Sequence, residues 1–537
     1  MLDPKYVDDF QFAGQDIPWL VSHWAKHRPD HPFLVWEPKN GAERRWTYAA
    51  FEREVADLAA GLAARGVGKG DKILIHAENC PEAVLTWYAC ARIGAVAVTT
   101  NTRSAGAEIE YFADHTRCVG GITQPQFAQV VKENAKKLRF LLVTEDNSGE
   151  AASADQREHG LEPFSALRGE GASLPPRKAD PMAPAGIMFT SGTTSRPKAV
   201  VHTHANALWA SRMGPANIDM NGDDTYLVYL PFFHVNAQSW SFWTTLGAGG
   251  TVVLQPRFSA SRFWEVVLKH DVTHISLIPF VFKAVAGQPV PKHKLKVGVF
   301  GLIMPDLEQW LGLRVMAAWG MTETVIHATR NDWLQVWPVG SMGKPTPGYE
   351  FAIVDPDTGK PCREGEVGEL WIRGRRGIQL FLEYFDNEEA MKKSFTEDGW
   401  FKTGDRVVLG AEGHFFYKER DKDALKVGGE NVSAREVEDV CREAGGIADV
   451  AVVGRKHEML DQVPVVFVIR TPDERRSEAD HAEAILARCR AKLADFKRPR
   501  AVYFRDVFPT ATLDKVAKNK LREIADAMPE PGEPAKR

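Results

Sequence analysis

The segment Met188–Val201, MFTSGTTSRPKAVV, constrains this chain more than any other stretch. A short apolar run (Ile187, Met188, Phe189) gives way to Thr190, Ser191, Gly192, Thr193, Thr194 and Ser195. Arg196, Pro197 and Lys198 follow before apolar residues resume. Small residues let several backbone N–H groups converge on one anion, and the hydroxyls add further donors. With the charges of Arg196 and Lys198, this is a grip for a polyphosphate. It is not a P-loop, because G-x-x-x-x-G-K-[ST] is absent. Taken alone, the string also reads as a Ser/Thr/Gly-rich surface loop. The rest of the chain decides between the two.

At 537 residues the chain is too long for one ordinary core, so two or more domains are expected. A formal net charge of −4 provides no basic field for nucleic acid. The six cysteines are scattered without C-x-x-C spacing, which predicts reduced thiols rather than a zinc site or disulfides. The opening MLDPKYVDDF has no apolar core of a signal peptide, and no apolar run approaches the roughly 18 residues of a membrane span. The expectation is a soluble cytoplasmic protein.

Phe51, Val55, Leu58 and Leu62 recur at helical spacing within residues 47–65, and Gly66 stops them. KILIHA (72–77) reads as a strand, 82–93 as a helix stopped by Gly94, and AVAVTT (95–100) as a second strand. TVVL (251–254), HISLI (274–278) and VGVF (297–300) continue the alternation, which predicts an α/β fold with partly parallel sheet. Residues 145–185 read as a surface excursion, and 350–418 as a mostly β subdomain. Beyond Arg420, a helix (433–444), two strands (449–453 and 465–470), a helix (479–494) and a strand (501–504) predict a compact α+β domain. The division expected is 1–421 and 422–537.

Four further segments carry chemistry-bearing groups: WGMTET (319–324), GWFKTGD (399–405), ERDKDALKVGGENVSAREVE (419–438) and PTATLDKVAKNKLRE (509–523). Each is weak singly. In this order and spacing, together with Met188–Val201, they resemble the adenylate-forming superfamily of acyl-CoA synthetases, luciferases and peptide-synthetase adenylation domains. The resemblance spans about residues 20–525. Its nearest subgroup is the crotonobetaine/carnitine-CoA ligases, on PFFHVNAQ (231–238), SASRFWEVV (259–267) and VFGLIMPDLEQW (299–310), the last standing where most of the superfamily has Gly-Gly-Ala-Pro.

The resemblance implies a large N-terminal domain of several α/β and β subdomains and a small mobile α+β C-terminal domain. It implies an ATP-dependent, AMP-forming ligase that joins a compact carboxylic acid to CoA with Mg²⁺. Thr190, Ser191, Gly192, Thr193, Thr194 and Lys198 would hold the ATP phosphates. Trp319 would pack on adenine, Thr322 would contact the α-phosphate and Glu323 would hold Mg²⁺. Asp405 and Arg420 would bind the ribose, Lys422 sits at the hinge position, and Lys515 would be the adenylation lysine. Lys426, Gly428 and Gly429 would serve CoA. His234, Asn236, Trp240 and Trp243 would form the acyl pocket, where large aromatics disfavour long chains. Together with Trp333 and Trp337 they could also box a quaternary ammonium, with core packing as the plain alternative.

Partners implied are small molecules, with a homodimer as the candidate assembly and no nucleic acid or membrane span. One departure stands before the lysine: Leu513-Asp514 replaces the usual Ser-Gly or Thr-Gly. Lys518 and Lys520 read as surface lysines on a helix. His202 and His204 have metal-like spacing but no matching ligand cluster, and are placed at the helix start after the loop. The alternatives are loading of a carrier protein in trans, a non-catalytic nucleotide or acyl-adenylate binder and, without any sign of oxygen chemistry, a luciferase-like oxygenase.

Overall fold

A computed structural model describes residues 5–157, 160–190, 196–331, 337–356, 358–420, 424–509, 516 and 518–528. The chain forms two compact units. One comprises 1–102, 112–189 and 199–419, and the other 103–111, 190–198 and 420–537.

In the first unit, the helix Tyr48–Ala64 is capped by Thr47, whose hydroxyl accepts from the Ala50 N–H. Phe51, Val55, Leu58 and Leu62 are buried along it, as their spacing predicts. The chain leaves at Gly66 with φ of +75°. The helix Pro81–Ile93 starts with a proline in its first turn and stops at Gly94 in the left-handed conformation. Ten of its residues are buried, so it runs through the core rather than along the surface.

Two large sheets frame this unit. One orders its strands Arg314–Ala317, Val297–Phe300, His274–Ser276, Thr225–Val228, Thr251–Leu254, Pro32–Trp36 and Arg44–Thr47. All its neighbours pair in parallel except the last, antiparallel pair. The other is built on Pro184–Thr190, Val96–Thr99, Lys72–His76, Cys118–Thr123 and Leu141–Val143. A four-stranded antiparallel sheet follows, from Glu350–Val354, Val367–Arg373, Phe401–Leu409 and Phe415–Arg420.

Two local readings are corrected. The strand at 274 ends at Ser276, because Pro279 opens a helix soon after. The region 350–418 is mostly β, as expected, and also carries the helix Glu388–Ser394, capped by Asn387. Residues 145–185 are more than a surface excursion: Phe164 and Leu167 are buried, and the segment lies so close to Tyr48–Ala64 that a Cβ on Gly61 would stand 1.9 Å from the Leu167 carbonyl oxygen.

The second unit has the sheet Glu430–Ser433, Ala424–Val427, Asp461–Arg470 and Ile447–His457, with Val502–Phe504 parallel to Asp461–Arg470. The helices Ala434–Arg442, Glu478–Lys492 and Lys518–Ala527 complete it. Lys497 is buried and its ammonium lies 2.5 Å from Glu108 and 2.9 Å from Glu436. Burial alone would lower its pKa, but the two carboxylates raise it above the ordinary lysine value. Lys518 is not a solvated lysine: it lies 2.7 Å from Glu438 and both side chains are largely buried.

Candidate functional site

In the first unit the groups singled out by sequence converge on one strained segment. Thr322–Thr324 is a short 3₁₀ turn. Val325, next along, has φ of +68° and ψ of −62°, and the Ile326 N–H donates to the Thr324 carbonyl at 2.7 Å. That is a tight γ-turn, costly for a β-branched residue by about 1–3 kcal/mol. The surroundings hold it in place. The Ser239 hydroxyl donates to the Val325 carbonyl at 2.6 Å, and Phe381 N–H donates to the Glu323 carbonyl at 2.9 Å.

Glu323 is 4% exposed. Its Oε1 accepts from the Tyr384 hydroxyl at 2.9 Å, while Oε2 is buried with no hydrogen-bond partner among the described residues. An ionised carboxylate in that state lacks compensation for its desolvation. A hard oxygen donor, buried and half-satisfied, fits a divalent cation such as Mg²⁺. His202 lies in the strand Lys198–Thr203, not at the helix start, and its Nε2 donates to the Thr322 carbonyl at 2.8 Å. His204 is the residue that opens the helix.

Trp319 and Asp405 are both buried, and the indole Nε1 donates to Asp405 Oδ2 at 3.0 Å. A residue expected at adenine and one expected at ribose are therefore joined directly. Asn236–Trp243 forms a π-helix, a rare element found mostly at functional sites. It places Trp240 against His327, with ring centroids 4.6 Å apart. Trp243 goes elsewhere, packing fully buried against Trp87 and His202. Trp337 packs on Ile303, Ala317 and His414, in another cluster from Trp240 and Trp243. His234 stands just before the π-helix, its ring tilted against Phe233.

In the second unit, Gly428 and Gly429 form the two-residue turn between Ala424–Val427 and Glu430–Ser433, with φ of +59° and +89°. Both central residues of such a hairpin need positive φ, which explains the Gly-Gly pair. Lys426 is exposed on the strand before it. Thr190 ends its strand with a buried hydroxyl that has no partner among the described residues, and Lys198 opens the next strand. Ser191, Gly192, Thr193, Thr194, Trp333, Lys422 and Lys515 lie outside the described residues, as does the side chain of Arg420.

Sequence reasoning missed Tyr384, His202 as the anchor of Thr322, and His327. Only His327 had a local signal, lying in the same run as WGMTET.

Burial holds His76 and His202 near pKa 4 and His327 near 3, so all three are neutral in the folded chain. Unfolded imidazoles titrate near 6.5, so below that pH the unfolded state binds more protons and stability rises with pH. The contribution is complete above about pH 6.5 and is lost as pH falls toward 4. Unfolding free energies from urea titration are expected to drop steadily from pH 7 to pH 5, by on the order of 1–2 kcal/mol per histidine. Replacing His76 by Gln is expected to flatten that slope.

Comparison with known proteins comes to the same region. The AMP-binding enzyme family profile matches residues 21–385, and that of the AMP-binding enzyme C-terminal domain matches 436–515. The crotonobetaine/carnitine–CoA ligase of Salmonella enteritidis is 31% identical over 95% of this chain and 99% of the relative. That of Escherichia coli O9:H4 is 32% identical over the same shares. Among solved structures, o-succinylbenzoate CoA synthetase of Bacillus subtilis, a double mutant bound with a product analogue, superposes with a TM-score of 0.77 at 25% identity, covering 94% of this chain and 98% of that one. A fatty acyl CoA synthetase of Mycobacterium tuberculosis has a TM-score of 0.67 at 26% identity, covering 95% and 98%.

Proposed function

The chain belongs to the AMP-binding enzyme family, and on that premise we propose that it converts a compact carboxylic acid, carnitine- or crotonobetaine-like or short-chain, into its CoA thioester through an acyl-adenylate. It is an acid–thiol ligase, and its substrates are the acid, ATP and CoA. The acid's carboxylate oxygen attacks the α-phosphorus of ATP, and the bond to the bridging oxygen of pyrophosphate breaks. The CoA thiolate then attacks the acyl carbon, AMP leaves, and the thiol proton passes to solvent.

The first step brings two anions together and builds charge on a leaving pyrophosphate. Positioning and electrostatic stabilisation do most of the work in such transfers. Thr190, Ser191, Gly192, Thr193, Thr194 and Lys198 would cradle the phosphates, and Thr322 would meet the α-phosphate. Glu323 would hold Mg²⁺, which supplies positive charge against the triphosphate. Trp319 would cover adenine, with Asp405 and Arg420 on the ribose. Lys515 would serve the adenylation step, and Lys426, Gly428 and Gly429 the thioester step. Residues 1–421 would bind ATP and acid, and 422–537 would form the mobile domain hinged at Lys422.

The observation that carries this reading is the half-satisfied carboxylate of Glu323, buried beside Thr322 in the segment whose Trp319 donates to Asp405. For the acid, the support is Trp240 and the bulky π-helix after His234, which would shorten a pocket. A pyrophosphate-release assay across carnitine, crotonobetaine, short-chain, long-chain and aryl acids tests it. The highest kcat/KM is expected on a compact acid, and fastest turnover of long acyl chains would contradict it.

Tyr384 is the positioning residue for Glu323. Tyr384→Phe removes the hydrogen-bond donor that Oε1 has among the described residues, a loss worth about 1–3 kcal/mol for a buried polar group. The expected result is an apparent Mg²⁺ requirement raised about tenfold, with the KM for the acid little changed. A magnesium titration of pyrophosphate release reads this, and an unshifted titration would remove Tyr384 from the role.

A further inference from the structure

His327 follows the γ-turn at Val325, fully buried. Its backbone is fixed, the carbonyl accepting from the Thr346 hydroxyl at 2.8 Å. Its side chain is another matter. Both ring nitrogens are buried without a partner among the described residues, and so is the Nε1 of Trp240, whose ring lies tilted against the imidazole. The Trp240 ring also lies against Gly320, where a Cβ would stand 2.8 Å from Cζ2. Gly320 directly follows Trp319, so this pair adjoins the segment that carries the nucleotide and Mg²⁺ groups.

Apolar packing does not account for the arrangement. Phenylalanine at 327 would fill comparable space without leaving two buried polar atoms unsatisfied, which is costly. Three buried polar atoms on two contacting rings, without a partner among the described residues and held by a strained turn and a π-helix, point to a ligand group that hydrogen-bonds one imidazole nitrogen and the indole N–H. Burial keeps the imidazole neutral, so it offers one donor and one acceptor and no charge. A neutral donor–acceptor group matches a hydroxyl on the ligand, not a second carboxylate or an ammonium.

We propose that His327 and Trp240 form the specificity contact for a hydroxyl on the acyl chain, so that the enzyme selects short hydroxy acids over the corresponding hydrocarbon acids. This rests on the reading of Trp240 as part of the acyl site. Sites built to hydrogen-bond a hydroxyl discriminate strongly against analogues that lack it, because the buried partners are then left unpaired.

The probes are 3-hydroxybutyrate and butyrate, compared by kcat/KM in the pyrophosphate-release assay with CoA present. The unmodified enzyme is expected to favour the hydroxy acid by about tenfold or more, and His327→Phe to erase most of that ratio, chiefly through the hydroxy acid. Trp240→Phe, which keeps a ring but loses Nε1, is expected to lower the ratio as well and decides the matter if His327→Phe does not fold. His327→Gln, retaining a donor and an acceptor, is expected to recover part of it. An unchanged ratio in a folded variant, or a preference for butyrate in the unmodified enzyme, overturns the proposal. If no acid at all yields AMP with CoA, the ligase reading itself fails. Activity without a hydroxyl preference sinks only the present inference.

Discussion

Lys515→Ala is expected to abolish acyl-adenylate formation while leaving thioester formation from a supplied acyl-adenylate close to the unmodified rate. In the first half-reaction, negative charge accumulates on the α-phosphate and the departing pyrophosphate, and an ammonium there stabilises the transition state more than the bound reactants. Removing one such group costs on the order of 10²–10³ in rate. The second half-reaction transfers the acyl group from AMP to sulfur, with no pyrophosphate charge to offset. Exchange of pyrophosphate into ATP reads the first step, and AMP release from synthetic acyl-adenylate plus CoA reads the second. Equal loss in both would take Lys515 out of this role.

Glu323→Gln is expected to lower adenylation by on the order of 10²–10³, and added Mg²⁺ should not restore it. The substitution keeps the shape and an acceptor for the Tyr384 hydroxyl, but removes the charge and the second carboxylate oxygen. The same change is expected to raise the thermal midpoint of the ligand-free protein. Glu323 Oε2 is buried with no partner among the described residues, and a neutral amide there relieves an uncompensated charge. Loss of activity with gain of stability marks a group kept for chemistry at the expense of the fold. A structural role would move both downward. Differential scanning calorimetry beside the pyrophosphate assay separates the two.

The parts of the fold that were legible are those written in local period and punctuation. Phe51, Val55, Leu58 and Leu62 announced their helix, and Gly66 and Gly94 its kind of ending. The α/β alternation and the α+β unit after Arg420 followed from the same signals. The ordered motifs carried the family, and with it the site residues as expectations. What stayed hidden depends on partners distant in sequence. Nothing near Pro32–Trp36 announces that it pairs with Thr251–Leu254. Tyr384 reaches Glu323 across 61 positions, and His202 reaches Thr322 across 120. No periodicity flags the π-helix, since its eight residues are mostly buried and offer no polar face to count against. Lys518 looked solvated because Glu438, its partner, sits on another helix. Trp243 could not be told from Trp240 by sequence. The structure sends one into the core and sets the other beside His327.

The most direct test of the account is acid-dependent exchange of labelled pyrophosphate into ATP with Mg²⁺, followed by AMP release on addition of CoA. The account predicts exchange that appears only with a suitable compact acid, and one AMP formed for each CoA thioester. Absence of exchange across the whole acid panel, with folded protein and Mg²⁺ present, would contradict it.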